Sequence, residues 1–300
     1  MITDPLQRVE ILEPMLASEK TRALVIPVST GYEYWLRGVF RSYYLSTDYA
    51  FRKQTDLVVF LLDDAPECKQ IAEDWEAHTI QCRPIARLDV WSKSVVYNLA
   101  EALPHKSFVA IDVDTLILGG LESLFQRIET AEKPYIRLAR DAQHCNSKTR
   151  TTTDMSSLWD FWIEFYKGYL DSHDLDMGLY GQYNMCINDG VIACNHAGAM
   201  AINETLKGLY SKFPNSVEPF HSRNQLYMNI AFIQLLAQPW LDTGLLEDEY
   251  NTQLGAPYMK FTVVGDDVYF LETRKSKILH FPGKKGKALF PELRYRFQKL

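Results

Sequence analysis

Residues 107–119 contain the feature that most constrains the fold, an apolar stretch that ends abruptly in acidic residues. Its apolar part, residues 108–111, has no polar alternation, which is typical of a central strand covered on both faces. Asp112 and Asp114 would lose hydration and repel each other at the end of such a strand unless they shared a cation. A hard divalent metal ion is the simplest such cation. Because open α/β sheets bind ligands at the carboxyl ends of their strands, the sequence predicts a metal site there.

Strand and helix patterns alternate on both sides of this stretch. Strands are predicted at residues 23–30, 56–63, 79–85, 107–111, 134–140 and from residue 188, and helices at residues 31–46, 67–78, 91–103 and from residue 223. The alternation across the first 120 residues favours a parallel sheet with right-handed crossovers. The expected fold class is therefore α/β, a mostly parallel sheet flanked by helices, with a mixed second half.

Three segments are expected along the chain. Residues 1–21 are predicted to be a lead-in helix, because residues 4–20 carry apolar side chains close to helical spacing. Residues 22–288 form the main domain, and residues 289–300 form a tail rich in basic and aromatic residues. That tail favours contact with an anionic membrane surface, and a solvated terminal helix is the alternative interpretation.

Composition limits the class of protein. A formal net charge of -6 argues against a general nucleic-acid binder, because phosphate contacts require a basic face. The 5 cysteines are scattered and never in Cys-x-x-Cys spacing, so the sequence indicates neither a disulfide scaffold nor a zinc site. No secretory signal and no apolar run of about 20 residues is evident. We therefore expect a reduced cytoplasmic protein, with peripheral contact at the inner face of the membrane if the tail binds lipid.

Several further stretches carry candidate binding residues. Thr30 and Tyr32 follow the first predicted strand, where a ring could stack on a planar base or serve only in packing. Asn188 and Asp189 enter a core strand, where polar groups must be satisfied locally or serve a ligand. Residues 156–171 predict an aromatic helix, which either packs on the core or forms an acceptor-binding wall. Residues 142–155 predict a polar loop.

His280 ends a short apolar stretch near the end of the main domain. A basic loop with two glycines follows it, which is the kind of element that supplies a metal ligand and donors for a pyrophosphate. A single histidine would carry little weight, but together with Asp112 and Asp114 it completes a plausible ligand set.

The ordered set of motifs resembles glycosyltransferase family 8, the retaining group with the Rossmann-like GT-A fold. The resemblance covers residues 22–288 through the opening strand with its Tyr-containing loop, the Asp-x-Asp motif, the Asn-x-Gly-Val entry at Asn188, the helix start at Asn224 and Gln225, the Tyr-Asn-x-Gln segment at Tyr250, and the His-Phe-x-Gly motif at His280. Each motif is short, so the specificity comes from their common order.

The resemblance implies a role for each matching residue. Asp112, Asp114 and His280 would bind Mn²⁺ or Mg²⁺, which bridges the two phosphates of a nucleotide sugar, most likely a UDP-sugar, and Val113 would also bind the donor. The other donor-binding residues would be Thr30 and Tyr32 at the base and ribose, and Lys93, Gly283, Lys285 and Lys287 at the phosphates. Asn188, Asp189 and Gln225 would surround the sugar as the catalytic residues. The implied acceptor is a glycan, a lipid-linked sugar or a protein, and the mixed second half of the fold would form the acceptor side.

Two departures from the family pattern affect the mechanism. Asn224 stands where the family has Asp, and Gly286 stands where it has Lys, with Lys285 and Lys287 on either side. Asp189 is expected to replace the missing carboxylate. No carboxylate is assigned to the anomeric carbon. We therefore expect the acceptor to attack that carbon on the same face that the diphosphate leaves, with the leaving phosphate as base.

Two other functions compete with this interpretation. A phosphatase of the haloacid-dehalogenase type also uses Asp-x-Asp at a strand end, but its pattern has Thr or Val four residues after the first Asp, where this chain has Leu116. A noncatalytic nucleotide-sugar-binding protein on a degenerate transferase scaffold would account for Asn224 and Gly286. Release of UDP, of inorganic phosphate, or of neither would separate the three.

Overall fold

The computed structural model describes residues 2–85, 96–141, 187–212, 223–254, 261–264, 267–270 and 273–282, with only the backbone for residues 223–226. In chain order the strands are β1 Ile2–Thr3, β2 Val9–Ile11, β3 Arg22–Val28, β4 Thr55–Leu61, β5 His78–Pro84, β6 Ser107–Ile111, β7 Thr115–Ile117, β8 Tyr135–Arg140, β9 Ile187–Asn195, β10 Asp242–Leu245, β11 Thr252–Gln253, β12 Phe261–Val264, β13 Asp267–Phe270, β14 Arg274–Lys275 and β15 Ile278–His280. The α-helices are α1 Glu33–Ser46, α2 Tyr49–Gln54, α3 Pro66–Asp74, α4 Leu99–Ala102, α5 Leu121–Glu129, α6 His196–Lys212 and α7 Arg223–Leu236.

A nine-stranded sheet forms the centre of the fold. Its strand order is β1-β2-β5-β4-β3-β6-β9-β8-β10. Strands β5, β4, β3 and β6 are mutually parallel, and β8 and β10 point the same way because β9 runs antiparallel to both β6 and β8. Only β2 and β9 oppose the common direction of this sheet. The predicted α/β fold with a mostly parallel sheet is confirmed.

The core lies on both faces of that sheet. Along β6, Phe108 and Ala110 pack into one hydrophobic cluster, whereas Val109 and Ile111 pack into the cluster on the other face. All four side chains are at most 3% exposed. Successive side chains of a strand point to opposite faces, so a strand covered on both sides needs an unbroken apolar run. This explains the sequence pattern ahead of Asp112.

The predicted lead-in helix is wrong. The segment contains β1 and β2, and β2 extends the sheet by pairing antiparallel with β5. The buried carboxylate of Asp4 accepts hydrogen bonds from the backbone nitrogens of Leu6 and Val9, at 3.1 and 2.5 Å. The bond from Val9 uses a backbone donor that a helix through this segment would need. Leu16, which the helical pattern would bury, is 90% exposed.

Most other predicted elements of the described chain are confirmed within a few residues. The helix predicted at residues 91–103 is described only from residue 96, as a 3₁₀ turn followed by α4. Helix α6 was not predicted, and it packs beside α7. The predicted loop at 142–155, the aromatic helix at 156–171 and the tail at 289–300 lie outside the described residues. The three domain boundaries stay a prediction.

Asp56 joins segments of the chain at the amino-terminal ends of the central strands. Its carboxylate is buried and receives Lys20 Nζ at 3.0 Å and His105 Nε2 at 2.9 Å. Burial alone would raise the pKa of Asp56, but the hydrogen bonds from His105, Ser18 and Lys20 outweigh it and hold that pKa well below its usual value. A carboxyl group with a lowered pKa stabilises the fold above its unfolded-state pKa and loses that contribution as the pH falls toward its folded-state value.

We expect Asp56→Asn to lower the free energy of unfolding by about 3 kcal/mol at pH 7, because it leaves buried donors without their charged partner. The cost should shrink below about pH 4, where the unfolded carboxylate of the wild-type protein becomes protonated. Urea unfolding at pH 7 and pH 3 measures both values. An equal loss at the two pH values would contradict the assignment.

Candidate metal centre and active site

A tight turn between β6 and β7 presents the two carboxylates. The backbone nitrogen of Asp112 donates to Gly190 O at 2.8 Å, which continues the pairing of β6 with β9 by one residue. Thr115 Oγ1 then donates to Asp112 O at 2.7 Å and closes the turn. Asp112 and Asp114 consequently leave the sheet at the carboxyl end of β6, where the sequence predicts a ligand site.

His280 reaches the same turn through strand pairing. Strand β15 pairs antiparallel with β7 and places His280 opposite Thr115. The backbone nitrogen of Phe281 donates to Asp114 O at 2.9 Å. On its other side β15 pairs parallel with β11, and Leu254 N donates to His280 O at 2.8 Å. The backbone of His280 is therefore held from both sides in a small three-stranded sheet.

The three side chains converge as a ligand set. His280 Nε2 lies 3.3 Å from Asp112 Oδ2 and 3.4 Å from Asp114 Oδ1. One ligand atom from each residue lies within 4.8 Å of the others. Adjacent ligands of an octahedral ion with bonds of about 2.1 Å are about 3 Å apart, so the observed separations fit a hard divalent cation with little movement. Within the described residues, this is the one group of three or more acidic, histidine or cysteine side chains so arranged.

The carboxylates also determine the charge of the imidazole. Burial of His280 would lower its pKa, but hydrogen bonds and charge from Asp112 and Asp114 outweigh burial and raise the pKa to about 9. In the absence of a cation the proton on Nε2 therefore balances the paired carboxylates. A metal ion would take the place of that proton.

Gly190 is needed because the imidazole packs directly against it. A Cβ atom at this position would lie 2.3 Å from His280 Cε1 and 2.6 Å from Asn188 Oδ1. No side chain fits in that space. The Asn-Asp-Gly entry to β9 therefore lies beside the candidate metal ligand His280. The sugar contacts predicted for Asn188 and Asp189 stay a prediction.

Asn188 and Asp189 are both close to fully buried, at 9% and 4% exposed. Asn188 Oδ1 accepts hydrogen bonds from Gly190 N at 2.9 Å and from Asn251 Nδ2 at 3.1 Å. Asp189 Oδ2 accepts a hydrogen bond of 2.5 Å from the hydroxyl of Tyr97. Sequence reasoning missed Tyr97 and the part played by Asn251, because each contacts its partner only across the fold.

Thr30 follows β3 at the same edge of the sheet as Asp112, since β3 and β6 are parallel neighbours. Its backbone nitrogen donates to Asp63 Oδ1 at 3.0 Å, and its hydroxyl donates to Asp64 O at 3.2 Å. Tyr32 packs part-buried against the core, and the Val113 side chain is buried in the same cluster. The nucleotide contacts predicted for these three residues stay a prediction.

The remaining predicted site residues lie partly or wholly outside the description. Lys93, Gly283, Lys285 and Lys287 are not described, and Gln225 is described only as backbone in the first turn of α7. That helix is tied to the site by Asn229, whose side chain accepts from Ile187 N at 2.7 Å and donates to Ile187 O at 3.2 Å. Their predicted roles are retained as proposals below.

The sheet and its ligand-binding edge define the chain as a protein with the GT-A glycosyltransferase fold. This is the fold of the family 8 enzymes that the sequence motifs resemble, so the expected resemblance is confirmed at the level of fold. No protein-family model matches the chain, and no curated protein sequence matches it.

Solved glycosyltransferase structures provide the particular comparisons. The galactosyltransferase LgtC, solved with donor and acceptor sugar analogues, matches with a TM-score of 0.54 and 12% identity over 93% of this chain and 96% of its own. Apo GlyE of Streptococcus pneumoniae TIGR4 matches with a TM-score of 0.52 and 15% identity over 93% of this chain. Mouse xyloside xylosyltransferase 1 matches with a TM-score of 0.50 and 14% identity over 88% of this chain and 98% of its own. The chain spans 63% of the GlyE chain.

Proposed function

We propose that this protein is a metal-dependent, retaining glycosyltransferase that transfers a hexosyl group from a UDP-sugar to a glycan, lipid-linked or protein acceptor. The convergence of Asp112, Asp114 and His280 at the carboxyl edge of a GT-A fold carries the proposal. Carboxylate oxygens with one imidazole suit Mn²⁺ or Mg²⁺ better than a thiolate-seeking metal. Such an ion, when bound, would act as a Lewis acid on the leaving diphosphate.

The chain's own groups would bind and orient the donor around that ion. Thr30 and Tyr32 would hold the base and ribose at the end of β3, and Val113 would be a further donor-binding residue. Lys93, Gly283 and either Lys285 or Lys287 would contact the diphosphate and balance the charge that develops as the glycosidic bond breaks. The proposal assigns the sugar end to Asn188, Asp189 and Gln225.

Asp189 is proposed to orient a sugar hydroxyl. Its Oδ2 already accepts the Tyr97 hydroxyl at 2.5 Å, which fixes the carboxylate in one orientation and draws on its electron density. A carboxylate held in this way suits a positioning role better than nucleophilic attack. The acceptor would then attack the anomeric carbon on the same face that the diphosphate leaves, and the leaving phosphate would serve as the base. Trapping a glycosyl adduct on Asp189 or Gln225 would overturn this mechanism.

The location of the reaction follows from the nature of its acceptor. Among the described residues no helix combines the length and the apolar character needed to cross a membrane. We propose a cytoplasmic protein whose basic tail at residues 289–300 contacts the inner membrane surface when the acceptor is lipid-linked. Flotation with anionic liposomes tests this contact, and failure of the intact protein to float would remove it.

We expect a UDP-sugar together with Mn²⁺ to raise the melting temperature, whereas GDP-, CMP- and TDP-sugars should raise it less. A ligand at 100 times its Kd stabilises the fold by about 2.7 kcal/mol. The protein should also release UDP slowly from the UDP-sugar that raises its melting temperature, in the presence of Mn²⁺ but not in the presence of EDTA. Release of inorganic phosphate from monoesters would instead indicate a phosphatase, and binding without UDP release would indicate a noncatalytic binder.

A further inference from the structure

We propose that Asn251 is a positioning residue that orients the His280 imidazole toward the metal; this inference rests on the metal site of the proposed function. Asn251 immediately precedes β11, and the parallel pairing of β11 with β15 sets its distance from His280. Its Oδ1 lies 2.9 Å from His280 Nδ1. Asn251 and His280 are both 2% exposed, so bulk water cannot substitute for this contact.

The direction of each hydrogen bond follows from a backbone group that can only donate. Gly190 N donates to the side chain of Asn188 at 2.9 Å, so the amide atom of Asn188 at that point is its oxygen, Oδ1. The same oxygen lies 3.1 Å from the side chain of Asn251, which must therefore present its nitrogen, Nδ2. The Asn251 oxygen is left to face His280 Nδ1, and it can only accept a hydrogen bond.

We call the hydrogen bonds that run from Gly190 N through the side chains of Asn188 and Asn251 to His280 the relay. The relay requires a proton on His280 Nδ1. With Nδ1 protonated, a neutral imidazole carries its lone pair on Nε2, the atom that faces Asp112 and Asp114 at 3.3 and 3.4 Å. This is the tautomer that a metal ion requires. Histidine ligands of metals generally donate their other ring N–H to a fixed acceptor, which sets the ring plane and increases ligand basicity.

The relay also links the metal ligand to the entry of β9. Both hydrogen bonds to the Asn188 side chain use its Oδ1, one from its own strand and one from Asn251. Asn188 therefore acts here as the anchor that fixes the Asn251 amide. Asn188 has this structural role whether or not it also contacts the sugar.

The test is Mn²⁺ binding without nucleotide, followed through the electron paramagnetic resonance signal of free Mn²⁺. Asn251→Leu should weaken Mn²⁺ binding by about 10-fold to 100-fold. Asn251→Asp should recover part of the affinity, because a carboxylate also accepts from Nδ1–H but cannot donate to Asn188 Oδ1 as the amide does. The matched control is Asn203→Leu: Asn203 is also 2% exposed, but it bonds to Asn98 and Glu101 instead. This control should lower the melting temperature without changing Mn²⁺ affinity.

A second measurement does not depend on how the variants fold. In the Mg²⁺-loaded wild-type protein, ¹⁵N-labelled His280 should show a slowly exchanging Nδ1–H proton. Its absence would overturn the inference, as would wild-type Mn²⁺ affinity in a folded Asn251→Leu protein. If the wild-type protein binds neither Mn²⁺ nor Mg²⁺, the metal proposal fails and this inference fails with it; metal binding that is insensitive to Asn251 leaves the metal proposal standing.

Discussion

Asp114→Asn should reduce Mn²⁺-stimulated release of UDP from the preferred UDP-sugar by at least about 10³-fold, or about 4 kcal/mol of transition-state stabilisation. The substitution removes one of two charges that would hold the cation against the leaving diphosphate. Asp114 Oδ1 also lies 3.4 Å from His280 Nε2. Steady-state UDP release with saturating Mn²⁺, compared with EDTA, measures the effect.

The matched control for this substitution is Asp242→Asn. Asp242 begins β10, the edge strand that β9 and β8 separate from β6, and it pairs with Arg137 in a partly exposed salt bridge of 2.6 Å. Such a pair contributes at most about 1 kcal/mol, and it touches none of the proposed ligands. UDP release by Asp114→Asn within tenfold of wild type, in a protein that melts normally, would show that the carboxylate pair is not the catalytic metal site.

Gly190→Ala should weaken Mn²⁺ binding by about 100-fold, a loss of the size seen when the support of a metal-binding histidine is removed. Its new methyl group would lie 2.3 Å from His280 Cε1 and 2.6 Å from Nδ1, so the ring must leave its present position. Overpacking of this kind also costs about 1–3 kcal/mol of stability. Mn²⁺ titration and urea unfolding of the same preparation separate the two effects.

Gly208→Ala is the appropriate control, because it adds the same methyl group where there is open space. Gly208 lies in α6, and a Cβ there would meet no atom within 4 Å. Replacing a glycine in a helix interior with alanine should stabilise the protein by about 0.5–1 kcal/mol and leave Mn²⁺ binding unchanged. If Gly190→Ala also binds Mn²⁺ normally, the contact between β9 and the imidazole does not constrain the ligand set.

The sequence predicted the central sheet well because its signals are local. An apolar run covered on both faces, ended by Asp112 and Asp114, indicates a buried strand and its ligand-binding end from neighbouring residues alone. The local pattern around His280 marked it as a candidate ligand, and the resemblance to family 8 supported grouping it with the carboxylates, since no local pattern fixes a contact between residues so distant in the chain. The structure then brings that histidine within 3.4 Å of both carboxylates through β15.

The prediction of a lead-in helix was wrong because the spacing of apolar residues carries no information about tertiary contacts. Leu6 and Val9 are buried as a helix would bury them, but Asp4 takes the backbone donors and β2 joins the sheet. Tertiary pairing therefore decided the local structure. The role of Asn251 could not be predicted for a similar reason. The sequence does not show which groups an asparagine side chain contacts, because strand pairing in the folded protein decides it.

The pairing of β15 with β7 has a consequence for synthesis. The two carboxylates leave the ribosome long before the imidazole that completes their coordination, and only pairing of residues 278–280 with residues 115–117 brings it to them. A nascent chain thus lacks one of the three proposed ligands until residue 280 has been made. Completion of the proposed ligand set is therefore a late event in synthesis, and it requires that two distant parts of the chain, β7 and β15, have already paired.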